Sequence, residues 1–393
     1  MSFEPMKLSG DAMRRDEPRP AAKSVGIMRA ARLHELGGPF SIDRIEIPEP
    51  RGSDVLICVR SCGVVPNLRN VIKFLPQWHP DLPLPPLPAI FGLDPAGVVA
   101  AVGPDVREID IGQRVYANPA RSCGTCRSCR RAEFNHCSSY TFAGYFGFGM
   151  GSVDIFKRYP WGGFAEFMIA PAASLVFLPD SVSFEQAARF GYLGTAYAAL
   201  RKARCTPAST VLINGATGTL GIGAVLLALA MGAAQILAVA RNELLLERVR
   251  GIDPDRIKVF SANNGSTSEW SRAITRGRGV DVVLDTLGPG SPPSQSSEAL
   301  MTVARGGRFV NIGGMRDPLP INPTHLMVSE VSYIGSNWFS AGEGEDMADL
   351  AASGALDLGY FEHRRYTLDA LNEALDAAAS SPQGGFSNVV VQP

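Results

Sequence analysis

Residues Thr210–Gly221 read TVLINGATGTLG, and no other stretch constrains the chain as much. The apolar run Thr210–Asn214 predicts a buried strand, which leads straight into a glycine-rich turn opening a long apolar helix, Leu220–Met231. Gly218 and Gly221 stand three apart; Ala216 takes the place of the first glycine of G-x-G-x-x-G, with Gly215 just before it. Residues this small let a backbone approach a pyrophosphate, and the helix start adds unpaired N–H groups and a favourable dipole. Gly215, Thr217, Gly218, Thr219, Leu220 and Gly221 are therefore candidate dinucleotide-binding residues, and the strand–turn–helix setting makes the motif specific. Further strands are expected at 235–240, 257–260, 280–285, 308–312 and 331–334, with helical segments such as 242–250 between them. Such alternation implies an α/β unit on a parallel, doubly wound sheet with right-handed crossovers.

The end of the second strand selects the dinucleotide. An acidic residue about 20 positions after the turn would bind the ribose 2′-hydroxyl of NAD. Here stand Ala240, Arg241 and Asn242, and the first carboxylate is Glu243. A guanidinium suits a 2′-phosphate by charge and bidentate geometry, so NADP(H) is expected, with Arg241 and Asn242 as contacts.

Of seven cysteines, Cys123, Cys126, Cys129 and Cys137 form C-x2-C-x2-C-x7-C. Four closely spaced thiolates make a closed tetrahedral zinc site, structural because no position is left for substrate. An iron–sulfur cluster is the competing reading. Arg121, Arg127, Arg130 and Arg131 are expected to offset the charge of a zinc tetrathiolate. The odd cysteine count makes a disulfide framework a poor reading.

Charge excludes other roles. Lys+Arg is 37 and Asp+Glu 38, a net charge of −1, which argues against a nucleic-acid groove or an acidic membrane surface. The run 222–240 has only Gln235 polar and is long enough to suggest a membrane span. Gly232 and Gln235 instead divide it into a helix and a strand. Arg14-Arg15 is followed by Asp16, Glu17 and Pro18 rather than an apolar leader, so a cytoplasmic protein is expected. Residues 1–25 read as a loose extension. From Ile27 the texture is β-like, with short strands expected at 28–32, 41–47, 55–62 and 97–102. Six prolines between 76 and 88 read as a rigid loop. Eleven aromatics between 134 and 167 read as core, or as the wall of an apolar pocket.

The cofactor turn in the second half and the four-cysteine lobe in the first resemble the zinc-type alcohol dehydrogenases of the medium-chain dehydrogenase/reductase superfamily. VGPDVREIDIGQRV (102–115), GGFAEF (162–167), LGTAYAAL (193–200), GVDVVLDTLG (279–288) and GGRFVNIGG (306–314) carry the same resemblance. It implies a GroES-like β-rich catalytic domain (26–180 and 336–393, with the zinc lobe at 118–140), a Rossmann domain (181–335), and an active site between them. It also implies Thr195 and Gly313 as cofactor contacts and a homodimer or homotetramer. At the family's three catalytic-zinc ligand positions stand Val65, Leu93 and Gly191, none a zinc ligand. One structural zinc and no catalytic zinc are therefore expected.

Without a Lewis acid, hydride transfer needs another way to stabilise oxyanion charge. Asn67 stands at the family's proton-relay position, Asp94 replaces the glutamate beside the lost histidine, and Tyr192 neighbours the third lost ligand. These three are the catalytic candidates, with helix capping, ion pairing and packing as their structural alternatives. Trp78 and Trp161 are candidate pocket walls. Relatives without zinc favour reduction of a C=C bond conjugated to a carbonyl; the retained lobe favours carbonyl or alcohol chemistry. The substrate is expected to be a small apolar carbonyl compound, and a non-enzymatic NADPH-binding role is the third reading.

Overall fold

The computed structural model describes residues 26–393; the expected N-terminal extension lies outside them. Six parallel strands carry the glycine-rich turn, in the spatial order Ile257–Ser261, Gln235–Ala240, Thr210–Asn214, Val280–Asp285, Val303–Asn311 and Ser332–Gly335. In chain order this is 3-2-1-4-5-6, so the order reverses between Thr210–Asn214 and Val280–Asp285. A crevice for ligands opens at the carboxyl ends of strands where it reverses. Thr210–Asn214 is buried at every residue, which explains its unbroken apolar run. The helix Thr219–Ala230 is buried from Gly221 to Ala228. Gly232, at φ +83°, then turns the chain into Gln235–Ala240. No helix among the described residues is long and apolar enough to cross a membrane.

The second unit is β-rich. Its central strand, Asp54–Gly63, pairs with Asp94–Val102 and with Phe167–Pro171. The C-terminal strand Ser387–Gln392 also pairs with its end, so the last residues close a sheet begun in the first third of the chain.

Three elements differ from expectation. The helix Leu68–Trp78 forms where a loop was expected from Pro76 onward. Its buried residues Leu68, Val71, Ile72 and Leu75 follow helical spacing, and Pro76 falls near its end. The strand Val303–Asn311 begins five residues early, because Gly306 and Gly307 disguise a strand with a register shift. The edge strand Glu362–Thr367 is polar and mostly exposed, leaving no apolar signal.

The chain returns from the parallel sheet to the β-rich unit along residues 336–340. Trp338 and Phe339 are buried in this hinge. The Phe339 ring stacks on Tyr116 (centroids 6.3 Å apart, 20° between planes) and lies against Gly194 of the helix Phe190–Lys202. The Trp338 ring lies 4.5 Å from that of Phe142. Phe339→Ala opens a cavity at this junction and is expected to cost about 3–5 kcal/mol in urea unfolding. A cost below about 1 kcal/mol would show that the ring is not part of the packed core.

Candidate active site at the domain cleft

Gly215 adopts φ +89°, a conformation side-chain-bearing residues rarely reach. Gly221 packs so closely that a Cβ there would lie 2.2 Å from the Gly215 carbonyl oxygen. Gly218 is the N-cap of Thr219–Ala230 and has no capping side chain, so the first N–H groups of the helix remain for a ligand. The cleft here has a volume of about 180 Å³ and is lined by Gly215, Thr217, Gly218, Arg241, Thr286 and Leu287, among others. Thr219 and Leu220 form the partly buried first turn beside it. Gly313 donates its N–H to Asp285 O (3.0 Å) and packs against Leu287 on the far wall. Beneath the cradle the buried Asp285 carboxylate accepts from Ser296 Oγ (2.5 Å) and Asn214 Nδ2 (3.1 Å). A cradle that leaves no room for a Cβ at its base and opens onto a bare helix start fits a dinucleotide.

Arg241 is exposed at the rim, and its guanidinium forms no ion pair among the described residues. Asn242 caps the helix Glu243–Arg250 by accepting from Leu245 N (3.0 Å). The Glu243 carboxylate accepts from Asn264 Nδ2 (3.1 Å).

In the four-cysteine lobe the ligand atoms of Cys123, Cys126, Cys129 and Cys137 lie within 4.8 Å of one another. The Cys126–Cys129 and Cys123–Cys129 sulfur separations are 3.5 and 4.0 Å. They bracket the edge of about 3.8 Å that a tetrahedron with Zn–S bonds of about 2.3 Å requires. Backbone N–H groups of Thr125 and Cys126 pull the Cys123 thiol down to about 6, favouring the thiolate a metal needs. The donor set fits a structural zinc. The expected charge offset is only partly present. Arg121 turns away into the core, where Nη1 donates to Asn118 O (2.5 Å) and Ala120 O (3.0 Å), and Arg131 pairs with Glu133 (3.2 Å). Burial of Arg121 lowers its pKa to about 10.

The three catalytic candidates gather in one neighbourhood. Asn67 occupies the N-cap position of Leu68–Trp78, yet its side chain does not cap the helix. Instead Asn67 Oδ1 accepts from the Tyr145 hydroxyl (3.2 Å), leaving its Nδ2 without a partner among the described residues. Asp94 is buried, accepts from the Tyr116 hydroxyl (2.8 Å) and from the Gly191 N–H, and feels Arg189. Gly191 is so close that a Cβ there would lie 2.1 Å from Asp94 Oδ1. Burial raises the Asp94 carboxyl to about 7. Tyr192 lies under the Arg189 guanidinium (5.1 Å from the ring), and its hydroxyl makes no hydrogen bond among the described residues. Burial pushes the phenols of Tyr145 and Tyr192 upward. Thr195 is buried, and its hydroxyl donates to Gly191 O (2.8 Å) within its own helix.

Tyr145 was legible only as one of eleven aromatics, and Arg189 carried no sequence signal. Arg189 Nη2 donates to Gly385 O (2.7 Å), and Gly385 N–H donates to Thr217 O (2.8 Å), so a buried cation that acts electrostatically on Asp94 is tied to the cofactor turn. Trp161 packs at the border of two apolar clusters, the main core and the smaller one of Leu56, Ile155 and Tyr159, and makes no hydrogen bond to the three catalytic candidates. Trp78 lies beneath the Arg316 guanidinium (4.2 Å), a contact between the two units.

Comparison with known proteins agrees with this architecture. The family profile described as "Alcohol dehydrogenase GroES-like domain" matches residues 51–180, and "Zinc-binding dehydrogenase" matches residues 219–353. The NAD-dependent alcohol dehydrogenase of Saccharolobus solfataricus is 31% identical over 79% of this chain and 85% of its own. The quinone oxidoreductase of Homo sapiens is 28% identical over 88% of this chain and 93% of its own. The crystal structure of AibC superposes with a TM-score of 0.80 at 27% identity, covering 94% of this chain and 96% of that one. The chain belongs to the medium-chain dehydrogenase/reductase superfamily. Within it, the chain is an oxidoreductase of the alcohol dehydrogenase and quinone oxidoreductase family, whose members use nicotinamide dinucleotides.

The raised pKa of Asp94 has a measurable consequence. Between its ordinary value of 3.8 and about 7, the folded chain binds this proton and the unfolded chain does not. Stability therefore falls as pH rises through that window. Asp94→Asn removes the titration, so the variant should lose less stability between pH 4.5 and 8, by an amount on the order of 1–3 kcal/mol. Parallel urea-midpoint profiles for the two proteins would contradict this.

Proposed function

We propose that the chain is an NADP(H)-dependent reductase acting on the C=C bond of an α,β-unsaturated carbonyl compound or quinone, with no metal at the reacting centre. One observation carries the reading: Asn67 Nδ2 and the Tyr192 hydroxyl are unspent donors in the same neighbourhood as Asp94. The residues at the family's catalytic-zinc positions, Val65, Leu93 and Gly191, offer no ligand atoms. When bound, NADPH supplies the hydride. Hydride arriving at the β-carbon breaks the C=C π bond and leaves an enolate, whose charge on the carbonyl oxygen meets Asn67 and Tyr192; a proton from water at the α-carbon then completes the saturated product, and Tyr145 fixes the Asn67 amide. A phenol is protonated at neutral pH and burial pushes that of Tyr192 further up, so it acts as a neutral donor, the chemistry of an oxyanion hole.

Arg241 supports NADPH over NADH: it stands at the rim, its guanidinium unpaired among the described residues, while Glu243 is engaged by Asn264. The Saccharolobus relative is named NAD-dependent, so the preference of this chain is a quantity to measure. One zinc in the four-cysteine lobe is structural. A homodimer or homotetramer in the cytoplasm is part of the proposal: Ser332–Gly335 is an open edge of the parallel sheet, and Tyr333, Met327 and Val328 are exposed nearby. The lobe also supports a second reading, zinc-independent carbonyl reduction or alcohol oxidation.

Incubation with 2-cyclohexenone and NADPH decides between these. Cyclohexanone is the expected product; 2-cyclohexenol would establish the second reading. Tight NADPH binding without turnover of any carbonyl compound would favour a non-enzymatic role. Tyr192→Phe should lower kcat by roughly 10²-fold. Arg241→Ala should shrink the NADPH-over-NADH preference by roughly 10-fold, and an unchanged ratio would remove the 2′-phosphate argument.

A further inference from the structure

The four-cysteine lobe grips the hinge between the two units through two asparagines. Asn118 Oδ1 accepts from Trp338 Nε1 (2.9 Å), and Asn118 Nδ2 donates to Phe339 O (3.2 Å). Asn135 lies in the short turn Phe134–His136, between Cys129 and Cys137, and its Nδ2 donates to Trp338 O (3.1 Å). From Trp338 and Phe339 packing continues into the site. Trp338 lies on Phe142, and Phe339 lies on Tyr116, whose hydroxyl holds Asp94.

The turn that carries Asn135 is tied to the segment before it by backbone bonds, Glu133 N–H donating to Ser128 O (2.9 Å) and His136 N–H to Glu133 O (3.0 Å). None of its three residues is buried, and the Phe134 ring is 51% exposed. It is flanked by Cys129 and Cys137, both buried, whose sulfurs converge with those of Cys123 and Cys126. The converged sulfurs thus bracket the turn from which Asn135 reaches the hinge.

We propose that Asn135 and Asn118 are positioning residues for dinucleotide binding: a metal-loaded lobe holds Trp338 and thereby the hinge that sets the cofactor domain against the catalytic domain. The inference rests on the cofactor and zinc readings above. It assigns the lobe a task in ligand binding beyond stabilising its own loop.

The test is Asn135→Asp, which keeps the side chain's size but removes the donor to Trp338 O; Asn135→Ala controls for the added charge. With one zinc retained and an unchanged melting temperature, both variants should bind NADPH roughly fivefold more weakly, the equivalent of one neutral hydrogen bond. The emission of Trp338, isolated by difference from Trp338→Phe, should shift to the red. Chelating the zinc from the wild-type protein should produce the same red shift and the same weakening. The proposal is overturned if zinc-loaded Asn135→Asp and Asn135→Ala bind NADPH as the wild type does, or if chelation leaves Trp338 emission unchanged. A wild-type chain that binds neither NADPH nor NADH refutes the cofactor reading, while Trp338 emission still decides the hinge contact. A lobe that takes up no zinc refutes the metal reading, while the asparagine variants still decide whether the hinge is held.

Discussion

The parallel pairing of Thr210–Asn214 with neighbours on both sides is the constraint from which the rest of the site follows. A strand buried on both faces needs an apolar centre, here Val211–Ile213, with its polar ends bonded, and the reversal of strand order beside it leaves a crevice at its carboxyl end. The glycine turn fills that end with backbone, not side chains. The β-rich unit docks on the same turn: Gly385 bonds to Thr217, and Arg189 bonds to Gly385. Cofactor cradle and candidate catalytic groups are thus built against one another.

Burial then decides the chemistry of the polar groups. Asp94 sits among Tyr116, Gly191 and Arg189 with little water to solvate its charge, so its proton is held to about 7. Arg189 is equally buried, and desolvation lowers its pKa to about 10. A buried carboxyl and a buried guanidinium stabilise each other only in this packed geometry. Tyr192, beneath the Arg189 guanidinium, keeps a hydroxyl with no hydrogen bond among the described residues. A cluster of neutral or nearly neutral donors replaces, in the proposed reading, the electrostatic work of a metal ion.

Much of this was legible in the sequence because it is local. The cofactor turn is encoded within twelve residues and the metal lobe within fifteen, where spacing and residue type define the geometry. Strands at 210–214, 235–240 and 280–285 match expectation for the same reason. Long-range contacts were not legible. Tyr145 meets Asn67 across 78 positions, Arg189 meets Gly385 across 196, and Asn135 meets Trp338 across 203. Nothing in the identity of Arg189 marks it as a core residue, and Arg121, expected to offset the charge of the metal site, is turned inward by the fold. The helix Leu68–Trp78 was hidden by Pro76, which is tolerated because it falls near the helix end.

The central claim is that the reacting centre works through hydrogen-bond donors, while the chain's one zinc lies in the four-cysteine lobe. Anomalous X-ray scattering at the zinc edge, from crystals grown with zinc and NADPH, tests it most directly. The account predicts one peak per chain, enclosed by Cys123, Cys126, Cys129 and Cys137. A second peak in the cleft near Asp94, Tyr192 and Asn67 would contradict it and return the reaction to metal catalysis.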